Sequence, residues 1–99
     1  MAERLNDDAV RISLARLQDG WSGDTTHISR TYSFDTFAAG IEFVRRLAST
    51  ADERNHHPDI DIRYTKILID LSTHSENGVT DLDFELAHRA DEIAGELQN

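Results

Sequence analysis

The chain has 99 residues, 38% of them hydrophobic, which is enough for one compact domain covering residues 1–99. Its formal net charge of −9 would repel a phosphate backbone, so we expect no nucleic acid as a partner. The sequence has no apolar run of about 18 residues and no secretory h-region, so we expect no membrane segment, and the lack of cysteine fits the cytoplasm.

The chain opens with a predicted helix followed by a strand. Apolar residues at helical spacing, preceded by capping residues, predict the helix from Asn6 to about Gln18, with Gly20 ending it. Residues 27–34 then alternate between apolar and polar side chains, as in a half-buried strand. Arg30 interrupts the apolar side of this strand, which indicates a position near the edge of a sheet.

The longest helix is predicted to follow directly, with Asp35 as its N-cap. Apolar residues recur behind it at steps of three and four, and this stripe is the predicted buried face: Phe37, Ile41, Val44, Ala48 and Ala51. Pro58 has no backbone donor and pushes the residue before it out of helical geometry, so the helix must end near Asn55 or His56.

The second half predicts two more strands and a last helix. Alternation runs from Ile60 to Tyr64 and resumes in a shifted register at Ile67, so a tight hairpin or a bulge is expected between them. Thr80 and Asp83 open the last helix in the manner of a capping box. We expect the elements in the order helix, strands, helix, strands, helix, with a second strand in the first half beside residues 27–34. This order, α-β-β-α-β-β-α, predicts an α+β fold, a four-stranded antiparallel sheet with three helices packed on one face.

Three histidines and an aspartate mark the candidate site. Asp52 and His56 are four residues apart, so we expect them to share a helix face and form a hydrogen-bonded pair. His57 lies beyond the last helical turn, and His74 ends the last predicted strand, directly before a turn. If the long helix crosses the sheet towards that strand end, the three imidazoles face one pocket. Imidazole takes and gives protons near neutral pH, so this pocket suits a reaction that needs an acid and a base.

Each of these residues also has an interpretation without chemistry. Adjacent histidines before a proline often form a solvated helix end, and Asp83 fits a purely capping role. Trp21 follows a helix-ending glycine and fits a lid over the core. Zinc bound by the histidines and Asp52 is another alternative, but adjacent residues seldom aim at one ion and the usual metalloprotease spacing is absent. We therefore expect no metal site.

The sequence resembles the pterin-4a-carbinolamine dehydratases, also called 4a-hydroxytetrahydrobiopterin dehydratases. The family pattern runs from an acidic residue four before His-His-Pro, through an aromatic, to Thr-His at a strand end, then Gly-aliphatic-Thr and Asp. The matching residues here are Asp52, His56-His57-Pro58, Tyr64, Thr73-His74, the segment NGVT and Asp83. Gly20-Trp21 and the segment SFDTFAAGIEFV are also similar, so the resemblance covers essentially the whole chain.

The resemblance implies a reaction and a set of roles. Family members remove the hydroxyl of a 4a-hydroxytetrahydropterin as water, giving quinonoid dihydropterin in tetrahydrobiopterin recycling, and they require no metal, nucleotide or flavin. His56, His57 and His74 are the implied catalytic residues, with the acid and base divided between His56 and His74. The implied pterin-binding residues are Asp52, Ser72, Thr73 and Asp83. Asp83 would also steady an imidazole.

Two positions depart from the family pattern. Asp52 stands where members often carry the longer Glu, and Ile60 stands where many have Trp. Compared with the family pattern, these two residues imply different packing contacts to the pterin. Family members form dimers or tetramers through sheet edges or helices, which implies a homodimer or homotetramer. Some relatives bind other proteins, so the alternative function is a non-catalytic protein-binding module of the same fold. The presence of all three histidines favours the enzyme.

Overall fold

The structure, a computed structural model, describes residues 2–98. The helices are α1 (Asp7–Ala15), α2 (Phe37–Arg54) and α3 (Asp81–Leu97), with a 3-10 turn at His74–Glu76. The strands are β1 (Ser22–Gly23), β2 (Ile28–Ser33), β3 (Asp59–Arg63) and β4 (Lys66–Leu71). The order of elements is the predicted one. Within the described part of the chain, no helix combines the length and the apolar character needed to cross a bilayer.

The four strands form one antiparallel sheet in the order β1-β2-β4-β3. One face carries the side chains that build the core, among them Ile28, Tyr32, Ile67, Ile69 and Leu71. Residues between these on β2 and β4 point to the other face and are not buried, because side chains alternate along a strand. The helices cover only the first face, so the predicted α+β fold is confirmed.

The β3–β4 hairpin explains the shift in alternation seen in the sequence. Arg63 pairs with Lys66, so the turn consists of Tyr64 and Thr65 alone. Tyr64 has φ 53°, in the left-handed region that a tight turn requires. The hairpin prediction is confirmed. β1, by contrast, is only two residues long, and no alternation in the sequence marked it.

The ends of two helices differ slightly from prediction. Asp35 does not cap α2; Thr36 does, accepting a 3.0 Å hydrogen bond from the Ala39 amide through Oγ1. Both residue types cap helices well, and the backbone stays extended for one residue longer than expected. Asn6 caps α1 as expected, but that helix ends at Ala15, three residues early.

The predicted buried face of α2 is only partly right. Ala51 is buried and Val44 packs partly against the core, but the other three predicted residues are exposed. The residues of α2 that pack into the core are Gly40, Phe43, Leu47 and Ala51. Phe37 and Ile41, at the head of the predicted stripe, are 49% and 38% exposed. The helix has apolar residues on two faces, and the sheet takes the one with Gly40, where an added Cβ would lie 3.3 Å from Ile67 Cδ1. Helical spacing alone cannot show which apolar face meets the sheet.

Arg30 points towards the core with a buried counter-ion. Its Nη1 atom donates a 2.7 Å hydrogen bond to Oδ1 of Asp91, which also accepts hydrogen bonds from Trp21 Nε1 and the Tyr32 hydroxyl. Trp21 therefore belongs to the core, as predicted. β1 pairs with only the first two residues of β2, so the strand borders the sheet edge from Arg30 onwards.

Candidate functional site

The end of α2 places the two adjacent histidines in different environments. Asn55 adopts the left-handed conformation, and the amides of Asn55 and His56 donate to the carbonyls of Asp52 and Ala51. This pair of backbone hydrogen bonds is a Schellman motif, which turns the chain sharply off the helix axis. His56 is turned inwards and is 8% exposed, whereas His57 remains exposed.

The expected pair between Asp52 and His56 is wrong. Nε2 of His56 lies 2.6 Å from Oδ1 of Asp83, at the start of α3, while Oδ1 of Asp52 lies 3.0 Å from Nε2 of His57. The helix ends before His56, so the spacing of four no longer puts it on the face of Asp52. His56 thus pairs with a buried carboxylate and His57 with an exposed one.

Asp83 has two structural contacts besides the one to His56. Its Oδ2 atom accepts hydrogen bonds of 2.9 Å from the Thr80 amide and from the Thr73 hydroxyl. The first belongs to the predicted capping box of α3, which is confirmed. Asp83 is completely buried, and a buried carboxylate needs such partners. Capping and support of an imidazole, considered as alternatives from sequence, occur together.

His74 follows β4 after two residues and begins the 3-10 turn. It is exposed, and its side chain makes no hydrogen bond or ion pair to any residue in 2–98. A cavity of about 420 Å³ opens beside it, with Ser72, Thr73 and Pro58 among its lining residues. His56 and His57 line the same cavity, so the three histidines meet there.

The remaining predicted site residues divide into two groups. Ser72 and Thr73 line the cavity, but both hydroxyls are engaged, that of Ser72 with the Thr26 carbonyl at 2.8 Å. Asp52 and Asp83 do not line it and instead each bind one imidazole. Across residues 2–98, no three His, Cys, Asp or Glu side chains are placed to share a metal ion.

The sequence predicted Thr80 as a helix cap but did not predict its contact with Thr73 in the site. The hydroxyl of Thr80 lies 2.7 Å from that of Thr73, and Thr80 is completely buried. The two residues meet because the chain folds back between them, with Thr73 bridged to Gly78. The capping motif identified Thr80 as an N-cap, but no spacing rule connects an N-cap to the end of the preceding strand.

Comparison with known proteins identifies the family. The family model described as pterin 4 alpha carbinolamine dehydratase matches residues 3–93. A protein of Herpetosiphon aurantiacus named "Putative pterin-4-alpha-carbinolamine dehydratase" is 53% identical over 81 residues, 82% of this chain and 84% of that protein. A protein of Mycobacteroides abscessus with the same name is 45% identical over 91 residues, 92% of this chain and 96% of its own.

Solved structures agree. A crystal structure from Brucella melitensis, described as a transcriptional coactivator/pterin dehydratase, has a TM-score of 0.90 and 35% identity, covering 94% of this chain and 100% of that one. A pterin dehydratase-like RuBisCO assembly factor of the alpha-carboxysome has a TM-score of 0.63 at 24% identity, covers 76% of this chain and 87% of its own, and shares the fold alone. The chain belongs to the pterin-4a-carbinolamine dehydratase family, as the resemblance of its sequence indicated.

Proposed function

We propose that the protein dehydrates a 4a-hydroxytetrahydropterin to quinonoid dihydropterin and water, as a step of tetrahydrobiopterin recycling. The observation that carries this proposal is the meeting of His56, His57 and His74 in one cavity, with His56 bound to a buried carboxylate. The cavity volume of about 420 Å³ falls in the range of small-molecule sites and suits a two-ring pterin.

The reaction requires two proton transfers. The bond between C4a and its hydroxyl oxygen breaks, and that oxygen takes up a proton and leaves as water. N5 loses its proton, and the electron pair of the N–H bond forms the double bond between C4a and N5. An acid must therefore lie beside the oxygen and a base beside N5, and histidine side chains serve both roles near neutral pH.

The contacts of His56 and His74 suit different roles. A carboxylate only accepts hydrogen bonds, so Asp83 takes its bond from a hydrogen on Nε2 of His56. The other ring nitrogen, Nδ1, has no partner within residues 2–98 and offers a lone pair to a ligand in the cavity. His56 is thus suited to receive the N5 proton. His74 is exposed and has no side-chain partner in the described chain, so it can approach the leaving oxygen as the acid.

The exposed pair of His57 and Asp52 would bind and orient the pterin. The amide and amino groups of the ring are hydrogen-bond donors, and a carboxylate is the acceptor that matches them. His57 lines the cavity and Asp52 binds to its ring, and both side chains are exposed, so they can reorganise around a ligand. The backbone around Ser72 and Thr73 would lie along the bound ring.

The direct experiment mixes the purified protein with a 4a-hydroxytetrahydropterin and follows the loss of the 4a-hydroxyl species. Dehydration faster than the spontaneous rate, and proportional to the protein concentration, is the expected result. An unchanged rate across all protein concentrations would reject the dehydratase. The function would then be the alternative, a non-catalytic protein-binding module, such as a transcriptional or enzyme-assembly cofactor.

An exposed apolar surface supports a homodimer or homotetramer. Of the large hydrophobic residues that are exposed among residues 2–98, all but Ile12 lie on α2 or the β3–β4 hairpin, namely Phe37, Ile41, Ile62 and Tyr64. The rings of Phe37 and Tyr64 stack at 6.5 Å. In the described sheet β3 pairs with β4 only, so its outer edge is open. A second copy would cover this surface and extend the sheet.

A further inference from the structure

The hydroxyls of Thr73 and Thr80 form a chain that ends on a carboxylate oxygen of Asp83. Oγ1 of Thr80 lies 2.7 Å from Oγ1 of Thr73, which lies 2.9 Å from Oδ2 of Asp83. Thr80 and Asp83 are completely buried and Thr73 is nearly so. In the proposed dehydration Thr80 has no role, and Thr73 contributes only its backbone.

The hydrogens of this chain can be assigned in only one direction. Each hydroxyl carries one hydrogen, and a carboxylate accepts only. If Thr73 donated to Thr80, the hydrogen of Thr80 would have no acceptor within residues 2–98, and Oδ2 of Asp83 would face a lone pair. If Thr80 donates to Thr73 and Thr73 to Asp83, every hydrogen has an acceptor.

The donor direction of these hydrogen bonds determines which kind of group Asp83 presents to His56. Oδ2 accepts from the Thr73 hydroxyl and from the Thr80 amide, so both of its lone pairs are used and it has no place for a proton. The carboxylate therefore turns Oδ1, as an acceptor, to Nε2 of His56 at 2.6 Å. The hydrogen of the neutral ring then lies on Nε2, and the lone pair lies on Nδ1.

The same hydrogen-bonded hydroxyls connect the two halves of the site. Thr73 directly precedes His74, and Thr80 begins the helix that carries Asp83. The Thr73 amide also donates to the Gly78 carbonyl at 2.9 Å, which closes the loop between them. The hydroxyl contact therefore ties the strand end that bears His74 to the carboxylate that holds His56.

We propose that Thr73 and Thr80 are positioning residues, whose hydroxyl chain orients the Asp83 carboxylate and thereby holds His56 as the tautomer with hydrogen on Nε2. The effect on turnover rests on the proposed dehydratase function. The tautomer itself is a property of the folded protein and is measurable without any substrate, so the two proposals fail separately.

The first test is the ¹⁵N NMR spectrum of the histidine rings of the wild-type protein at a pH where His56 is neutral. The His56 signals are assigned by comparison with a His56→Gln protein. We expect Nε2 to show the shift of a protonated nitrogen and Nδ1 that of an unprotonated one. The opposite pattern would overturn the proposal, and this outcome does not depend on whether any threonine variant folds.

The second test compares three variants. Thr73→Val removes the hydroxyl but keeps the shape, and Thr73→Ser restores a hydroxyl. Thr50→Val is the matched control, since among the described residues the Thr50 hydroxyl bonds only to the Arg46 carbonyl. In Thr73→Val we expect a mixture of His56 tautomers and a kcat lower by about 10-fold with little change in KM, as for groups that orient a functional imidazole. Thr73→Ser should recover both properties, and Thr50→Val should alter neither.

The outcomes separate the two proposals. A folded Thr73→Val protein with the wild-type tautomer and rate would show that the hydroxyl chain has only a structural role, against the positioning proposal. A changed tautomer in Thr73→Val, together with no dehydration by any of the proteins, would support the positioning of His56 while rejecting the dehydratase.

Discussion

Nε2 of His56 lies 2.6 Å from Oδ1 of Asp83, although 27 positions separate the two residues. The contact joins the end of α2 to the first turn of α3, so it connects two helices as well as two functional groups. Asp83 is completely buried, and its other oxygen caps α3. A single carboxylate thus holds the helix start and the imidazole in one fixed arrangement.

His74→Ala should separate chemistry from stability. His74 is exposed and has no side-chain partner among the described residues, so we expect the free energy of unfolding to change by less than about 0.5 kcal/mol. Loss of a general acid typically lowers a rate by about 10²–10⁴. His88→Ala, at an exposed position on α3, is the control and should keep both the melting temperature and the rate. An early-melting His74→Ala protein with normal turnover would show that His74 has a structural role and is not the acid.

Asp83→Asn should lower the rate while the protein stays folded. The amide oxygen can still accept from the Thr80 amide, so we expect a loss of stability of no more than about 1.5 kcal/mol in thermal unfolding. The amide nitrogen would then face His56, which must accept through Nε2 and so loses the lone pair on Nδ1. We expect the dehydration rate to fall by about 10²–10⁴.

The control for this substitution is Asp81→Asn, which changes an exposed acid in the same first turn of α3. It should leave the rate within a factor of about two, since surface changes are usually small. If Asp83→Asn also kept the wild-type rate, the carboxylate would have no role beyond the capping box.

The sequence predicted the fold and the cavity but not which side chains pair within the site. Alternation, capping motifs and Pro58 are local signals, so they located the helices, the hairpin and the end of α2. The partner of His56 depends on Asn55, whose left-handed conformation turns the chain inwards, and no spacing rule contains that turn. Likewise, the apolar stripe beginning at Phe37 is real, but its first two residues are exposed and only its end at Ala51 is buried, because local periodicity does not show which face another layer covers.

Exhaustive chelation should leave the dehydration rate unchanged. His56 and His57 each hold one ring nitrogen against a carboxylate, and within residues 2–98 no three potential ligands converge on one point. The measurement is turnover after dialysis against a strong chelator, with mock-dialysed protein as the control. Activity that disappears with the chelator and returns with zinc would contradict the proton-transfer mechanism.

Light scattering at micromolar concentration should give a particle of two or four chains, each of 11.2 kDa. We expect Ile41→Glu to shift the protein to monomers, because it places a charge on the exposed face of α2. Its matched control is Ile12→Glu, at the exposed hydrophobic of α1, which should keep the oligomer. A wild-type particle with the mass of one chain, or an equal response of both variants, would argue against an interface at α2.

Tyr32 is expected to stay protonated as long as the protein is folded. Its hydroxyl donates to Asp91 at 2.5 Å, and burial, reinforced by that carboxylate, raises the pKa of Tyr32 well above its usual value. An unfolded tyrosine titrates near pH ~10, so above this pH the folded state binds the extra proton. The contribution of Tyr32 to the free energy of unfolding should therefore not change with pH below about pH 10, and it should fall as the pH rises further.

A Tyr64→Phe protein tests this directly, because Tyr32 is then its only tyrosine. We expect tyrosinate absorbance to rise only as the far-ultraviolet circular dichroism is lost, with both curves sharing one midpoint. Tyr32→Phe is the control: it lacks this ionisation, so its stability should fall less steeply above about pH 10. Tyrosinate that forms while the dichroism is still native would mean that the Tyr32 hydroxyl is open to solvent and that Asp91 does not hold its proton.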